Sequence, residues 1–132
     1  PEEGLEKLIE IGVCLAAIKL GKKGSLIATR EHILYTPSFN VDTVDSTGAG
    51  DSFSAGVLYG WLNGFELEMI ATLASALGAL ATTVYGAGFS LPSKDALVKF
   101  LCEETDYPAA FMAESAKQLV AHFRQSGKRI VE

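Results

Sequence analysis

The sequence predicts an α/β fold in which helices are layered on a sheet. Three observations predict it. Val13 to Leu20 (VCLAAIKL) is a continuous apolar run, the pattern of a strand covered on both faces in a parallel sheet. A helical repeat precedes that run, and a helix followed by such a strand is the recurring unit of open α/β sheets. Further on, the small-residue loop Gly48-Ala49-Gly50 opens directly onto another helical repeat.

The elements follow in chain order. Residues 2–11 predict a short amphipathic helix, with Leu5, Leu8, Ile9 and Gly12 at helical spacing. After the interior strand 13–20, Gly21-Lys22-Lys23-Gly24 is a turn. Ser25 to Thr29 and Ile33 to Thr36 are two short strands, with His32 a solvated residue at the hairpin tip. Pro37 to Val44 reads as an extended connector. In the helix after Gly50, Phe53, Val57 and Trp61 share one face, with Leu58 and Leu62 beside them. Gly56, Gly60 and Gly64 recur every four residues. Glycine inside a helix costs about 1 kcal/mol relative to alanine, so the repeat predicts close packing on a neighbouring backbone. Residues 66–83 predict a nearly buried, Ala-rich helix, which Gly86-Ala87-Gly88 ends. Pro92 and Ser93 open a further helix with Ala96, Leu97, Phe100 and Leu101 on one face. Asp106 is a candidate cap for a last helix, with Pro108 in its first turn. That helix carries Phe111, Met112, Ser115, Ala116, Leu119, Val120 and Phe123 along one side and ends at Ser126-Gly127.

Composition limits the functional classes. The chain has 132 residues, 48% hydrophobic and 20% charged, the balance of a single globular domain. Its net charge of -5 is not the footprint of a nucleic-acid binder. An anion must therefore be met by local N–H groups and helix ends. The sequence shows neither a signal peptide nor a membrane span. Cys14 and Cys102 are expected to be buried free thiols, too few for a disulfide framework, which makes a reducing cytoplasm the default. The chain opens at Pro1 directly on a helical repeat, and is read as part of a longer protein.

The informative stretch is Asp45-Ser46-Thr47-Gly48-Ala49-Gly50-Asp51-Ser52-Phe53. Two glycines flanking an alanine let successive N–H groups converge on an anion. The following helix aims its positive end at the same place. This suits a phosphate, and more so the spread charge of a phosphoryl group in transfer. Asp51 lies in the first helical turn, either as the helix cap or as a base that takes a proton from a hydroxyl nucleophile. A Walker A loop is absent, and Phe53 stands where a dinucleotide-binding fingerprint needs glycine. No C-x-x-C, H-E-x-x-H or G-x-S-x-G pattern supports zinc or serine-hydrolase chemistry.

Asp45 to Leu58 (DSTGAGDSFSAGVL) resembles the D-T-x-G-A-G-D-x-F-x-x-G signature of the ribokinase-like (PfkB) carbohydrate kinases. Leu20 to Gly24 resembles their strand-turn segment, and Gly86-Ala87 through Ser90-Leu91-Pro92 their G-A-x-x-S-x-P loop. The resemblance implies the carboxyl-terminal portion of a ribokinase-like α/β/α layered sheet over residues 1–105, with residues 106–132 an additional C-terminal helix. It implies an ATP-dependent phosphotransferase acting on a sugar or related alcohol. Asp51 matches the catalytic base, and Gly48, Ala49 and Gly50 match the anion hole. Gly21 and Gly24 match the turn near the nucleotide, and Lys19 stands where the family often has threonine beside it. Ser75 falls where an adenine contact is expected. Asp45, Thr47 and Ser90, with carbonyls near Ala81 and Gly86, match a monovalent-cation loop, which implies K+, while the family's use of ATP implies Mg2+. The sugar-binding residues and the magnesium-organising N-x-x-E motif lie upstream in the family. The chain alone is therefore expected to be inactive, and to self-associate as a homo-oligomer through its exposed edge. A non-catalytic nucleotide-binding protein, or a nucleoside or vitamin kinase of the same fold, are the alternatives.

Overall fold

A computed structural model describes residues 1–83 and 92–126. Helix α1 (Glu2–Glu10) leads into β1 (Ala16–Lys19), a 3-10 turn at Gly21–Lys23, β2 (Ser25–Ala28) and β3 (Ile33–Thr36). Four helices follow: α2 (Ala49–Leu62), α3 (Leu67–Ala81), α4 (Lys94–Glu103) and α5 (Ala110–Ser126). None of the helices among the described residues is long and apolar enough to cross a membrane.

Acidic Glu2 and Glu3 in the first turn of α1, and Lys7 in its last, complement the helix dipole. Its Leu5 is fully buried and packs with Ala16, Leu26 and Ala28. The sheet has order β1-β2-β3, and both pairings are antiparallel. β2 is buried along its whole length. Leu26 and Ala28 face the α1 cluster, while Ile27 faces Phe53, Leu67, Ile70, Ala71 and Ala74 of α2 and α3.

This arrangement corrects the sequence reading of Val13 to Leu20 as an interior strand of a parallel sheet. Only Ala16–Lys19 is strand, it lies at the sheet edge, and its partner is antiparallel. Of its residues only Ala16 is buried. Helix α1 covers one face; the other opens on a groove of about 390 Å³ between Cys14, Leu15, Ala17 and the Val57–Trp61 side of α2. The apolar run marks a strand that seeks cover on both faces, and the described residues supply it on one.

The same groove limits burial of α2. On the face of Phe53, Val57 and Trp61, Phe53 is buried and Val57 packs against its cluster, but Trp61 is 45% exposed, and Leu58 and Leu62 beside it are 58% and 73% exposed. The helix also buries Ser52, Gly56 and Gly60. The glycine repeat does what its spacing predicts. A Cβ on Gly56 would stand 2.8 Å from Ala74 Cα, and one on Gly60 would stand 2.7 Å from Ile70 Cγ1. Backbone therefore meets helix α3 directly. Gly64 differs: its φ of 70° makes it the turn residue after α2, with open space around it.

Helices α3, α4 and α5 enclose the second core, formed by Phe39, Leu73, Leu97, Leu101, Met112 and Leu119 among others. Ser93 caps α4, its hydroxyl accepting from Ala96 N–H at 3.1 Å. Helix α5 starts at Ala110, so Asp106 and Pro108 precede it, and Asp106 is not its cap. The Glu104 carboxylate instead accepts the Thr105 and Asp106 N–H groups, both at 3.1 Å, and the resulting turn delays the helix. Tyr107 donates to Leu101 carbonyl, and burial, with Glu104 and Cys102 nearby, pushes its phenol above the ordinary tyrosine range. Tyr59 of α2 and His122 of α5 share a hydrogen bond of 2.8 Å that ties the last helix to the second. Both cysteines are free, but exposed rather than buried. Cys14 precedes the strand on the groove side, and Cys102 ends α4 on its outer face, 3.5 Å from Arg124 Nη2.

Two alanine substitutions separate helix propensity from packing. Gly4→Ala in α1 has nothing within 4 Å of the new methyl and is expected to stabilise the chain by roughly 0.5–1 kcal/mol. Gly56→Ala gains the same propensity but drives a methyl into the α3 backbone, and is expected to destabilise by about 1–3 kcal/mol. Thermal unfolding of the two variants checks the opposite signs.

Candidate active site

The loop before α2 is built from its two ends. Val44 and Asp45 N–H both donate to the Thr82 carbonyl, at 2.7 and 3.0 Å, and so fasten the connector to the end of α3. Asp45 Oδ1 then accepts from the Thr47 N–H at 2.9 Å and from Thr47 Oγ1 at 2.7 Å, an aspartate-closed turn. Ala49 N–H closes onto the Ser46 carbonyl at 3.2 Å. Gly48 takes φ 83° and ψ -6°, the left-handed conformation that glycine adopts without a Cβ penalty.

Gly48 is also the N-cap residue of α2, and no side chain caps the helix. Its carbonyl accepts Ser52 N–H at 3.0 Å, the first rung of the ladder. The amides of Gly50 and Asp51 precede that rung, so helix geometry leaves them facing outward at the positive end of the dipole. Ala49 N–H is spent on the turn, so it is not among these outward amides. Asp51 is the third residue of the helix. Its exposed carboxylate makes no hydrogen bond or ion pair among the described residues, so the helix-cap role is not the one it performs.

Lys19 reaches this point from β1. Its Nζ lies over Gly50, where a Cβ would stand 2.5 Å away. Gly21 and Gly24 meet in one turn at the far end of the same strand. Leu20 N–H donates to Gly24 carbonyl at 2.8 Å, Gly24 N–H to Gly21 carbonyl at 3.1 Å, and Ser38 Oγ to Gly21 carbonyl at 3.1 Å. Gly24 has φ 101°, and a Cβ there would collide with the Thr36 carbonyl. Gly21, at φ 62°, has open space around it. Ser75 is half-buried in the middle of α3, and no hydrogen bond ties it to the loop among the described residues. Ser90 and Gly86 lie outside the described residues.

Asp45 and Thr47 are thus brought together, as are Lys19 and Gly50, while Ser75 is not joined to either pair. Among the described residues no group of three or more His, Cys, Asp or Glu side chains is arranged to hold a metal ion. Three contributors escaped the sequence reading. Thr82 acts through its carbonyl, which no side-chain pattern reveals. Gly78 of α3 lies under the start of α2, 3.6 Å from Ala49 O and Phe53 Cβ when given a Cβ. Ser52 is buried in the first turn of α2 without a hydrogen-bond partner among the described residues; its place beside Asp51 was the available signal.

Residues 2–94 match the family described as pfkB family carbohydrate kinase. The chain is 39% identical over 92 residues to an ATP-dependent ribose-1-phosphate kinase of Halopiger xanaduensis, covering 70% of this chain and 31% of that protein. It is 39% identical over 100 residues to the aminoimidazole riboside kinase of Salmonella typhimurium, covering 71% and 31%. Arabidopsis thaliana ribokinase, solved with ribose and ATP, superposes with a TM-score of 0.70 at 27% identity, over 79% of this chain and 34% of that one. The chain spans about a third of the length of the curated relatives it matches.

The turn after β1 offers a direct check on which glycine shapes the site and which leaves room in it. Gly24→Ala is expected to cost at least about 3 kcal/mol, since left-handed strain adds to overpacking against β3. Gly21→Ala is expected to cost only the strain, about 1–2 kcal/mol. Urea unfolding of the two variants measures the difference.

Proposed function

Because the chain belongs to the pfkB family of carbohydrate kinases, we propose that it forms the phosphate side of an ATP-dependent phosphotransferase whose acceptor is the hydroxyl of a sugar or related alcohol. The observation that carries this reading is the unengaged Asp51 carboxylate beside two outward-facing amides at the start of α2. A carboxylate within hydrogen-bond reach of an acceptor hydroxyl can take its proton as a general base.

In the proposed reaction the acceptor oxygen attacks the terminal phosphorus of ATP. The new O–P bond forms, the bond to the β-phosphate oxygen breaks, ADP leaves, and the hydroxyl proton goes to Asp51. Negative charge spread over the transferring group meets the Gly50 and Asp51 amides and the positive helix end. Gly48 serves by its backbone conformation, and Ala49 by closing the turn. Gly21 leaves open space for the nucleotide beyond β1, and Ser75 is retained as the proposed adenine contact. The oxygens of Asp45 and Thr47, which the turn draws together, suit a hard monovalent cation such as K+; with Ser90 they are the proposed ligands, and the ion would add fixed positive charge beside the loop. For Mg2+ the described residues assemble no ligand set, and no step is derived through it.

A nucleoside-like acceptor is the second reading, favoured by the likeness to a relative named as a riboside kinase. A non-catalytic role fits less well, because it gives Asp51 no task in either capping or pairing.

In the complete kinase that contains these residues, Asp51→Asn is expected to leave ATP affinity within a few-fold and to lower kcat by roughly 10²–10⁴. Steady-state kinetics and an ATP titration separate the two effects. Near-normal turnover in the variant would remove Asp51 from the reaction.

A further inference from the structure

The turn between β1 and β2 is held by side chains that the sheet itself does not need. Gly21, Lys22 and Lys23 are all exposed. Burial therefore does not fix the turn, and a segment with few buried contacts opens easily. Two of its carbonyls are tied from outside instead. Tyr35 of β3 donates its phenolic proton to the Lys23 carbonyl at 2.5 Å, and Ser38, just after β3, donates to the Gly21 carbonyl at 3.1 Å. The pairing of β2 with β3 runs from Ser25–Thr36 to Ala28–Ile33 without either bond. The two hydroxyls act on the turn, not on the strand register.

Tyr35 is the cross-strand partner of Leu26. Directly opposed residues in antiparallel strands project to the same face, and Leu26 packs in the cluster of α1. Tyr35 thus reaches the turn from the α1 side of the sheet. Its ring, 50% exposed, stays off the opposite face, where Ile27 packs with α2 and α3. The turn itself borders the candidate site. It follows Lys19 directly, and the Lys19 ammonium lies over Gly50 in the first turn of α2. Gly24 presses the end of the turn against the Thr36 carbonyl, with no room for a Cβ, whereas Gly21 has open space around it. The turn is therefore pinned at one end, tied at two carbonyls, and open at Gly21.

We propose that Tyr35 and Ser38 are positioning residues for the nucleotide, holding the Gly21–Lys23 turn in the conformation that receives the nucleoside end of ATP. The proposal rests on reading the start of α2 as the phosphate site. With the phosphates there, the nucleoside lies beyond them, and the turn just past Lys19 is the surface that offers it open space. A nucleoside is recognised by shape and hydrogen bonds more than by charge, so the surface that meets it must already be in place. Ordering an exposed turn at the moment of binding lowers affinity. Two hydrogen bonds made in the free protein remove that penalty beforehand. Neither hydroxyl touches the ligand, because each is engaged with a carbonyl.

The test titrates the chain itself by calorimetry with ATP and with inorganic tripolyphosphate, which has the phosphates without the nucleoside. Wild type is compared with Tyr35→Phe, Ser38→Ala, the double variant and Ser38→Thr. Thermal unfolding without ligand checks that each is folded at the titration temperature. Tyr35→Phe and Ser38→Ala are each expected to weaken ATP about threefold, and the double variant about tenfold. Tripolyphosphate is expected to bind all of them as it binds wild type. Ser38→Thr keeps the hydroxyl and is expected to keep the affinity for ATP; a loss equal to that of Ser38→Ala removes Ser38 from the assignment. Wild-type ATP affinity in the double variant overturns the proposal. Parallel weakening of both ligands assigns the two residues a structural role and also overturns it. A wild-type chain that binds tripolyphosphate but not ATP takes the nucleoside off the turn, which overturns the positioning role and leaves the phosphate site standing. Failure of wild type to bind tripolyphosphate overturns the phosphate site, and the positioning role with it.

Discussion

Helix α2 lies against α3 at backbone distance, and the geometry of the site depends on that contact. Gly56 and Gly60 carry no side chain where a methyl would meet Ala74 Cα and Ile70 Cγ1. Gly78 of α3 lies at ordinary contact distance under Ala49 and Phe53 at the other end. The helix is held by two close approaches, at Gly56 and Gly60, each costing helix propensity of about 1 kcal/mol that close-packed contact offsets. A helix so held cannot tilt without overlap, so its first turn has one place to be. The Thr82 carbonyl fixes the incoming chain from the same helix α3, through the two amides it accepts. Loop and helix start are therefore referred to a single rigid element.

The electrostatics of the site are local and opposed to those of the chain. The protein carries a net charge of -5, yet the start of α2 gathers two outward amides, the positive end of a dipole and the Lys19 ammonium. Interactions across more than about 10 Å of solvent are screened at ordinary ionic strength, so the acidic surface elsewhere does little to offset this concentration. Asp51 is the single carboxylate in the first turn of the helix. Its position sets one exposed carboxylate beside the outward amides.

Helix α5 lies beyond the segment that matches the family, residues 2–94, and it is not a loose appendage. Met112, Ala116, Leu119 and Phe123 share one buried cluster with Leu73 and Ala76 of α3 and Leu97 and Leu101 of α4. Tyr59 and His122 join it to α2 at 2.8 Å. The helix thus buttresses the face of α3 remote from the sheet, on the element that locates the loop.

What the sequence by itself determined was local. The local structure of the 45–53 stretch is legible because it is made of glycine conformation, a short turn and a helix start, all set within a few residues. The Gly56 and Gly60 spacing announced a close helix contact for the same reason, since a repeat of four can serve no other face. The hydrophobic patterns located helices and strands because periodicity is itself local. What those patterns could not decide was which neighbour would cover each apolar face. Val13 to Leu20 and the Val57–Trp61 side of α2 both call for burial, but they face each other across an open groove. Burial is a property of two surfaces, and one sequence pattern describes only one of them. Cys14 and Cys102 came out exposed on the same ground. Tertiary structure alone decided that Lys19, thirty-one positions before Gly50 in the chain, would lie over it. It alone decided that the sheet face carrying Ser25, Ile27 and Thr36 would look toward α2 and α3, because strand register and helix docking are settled by the whole core together.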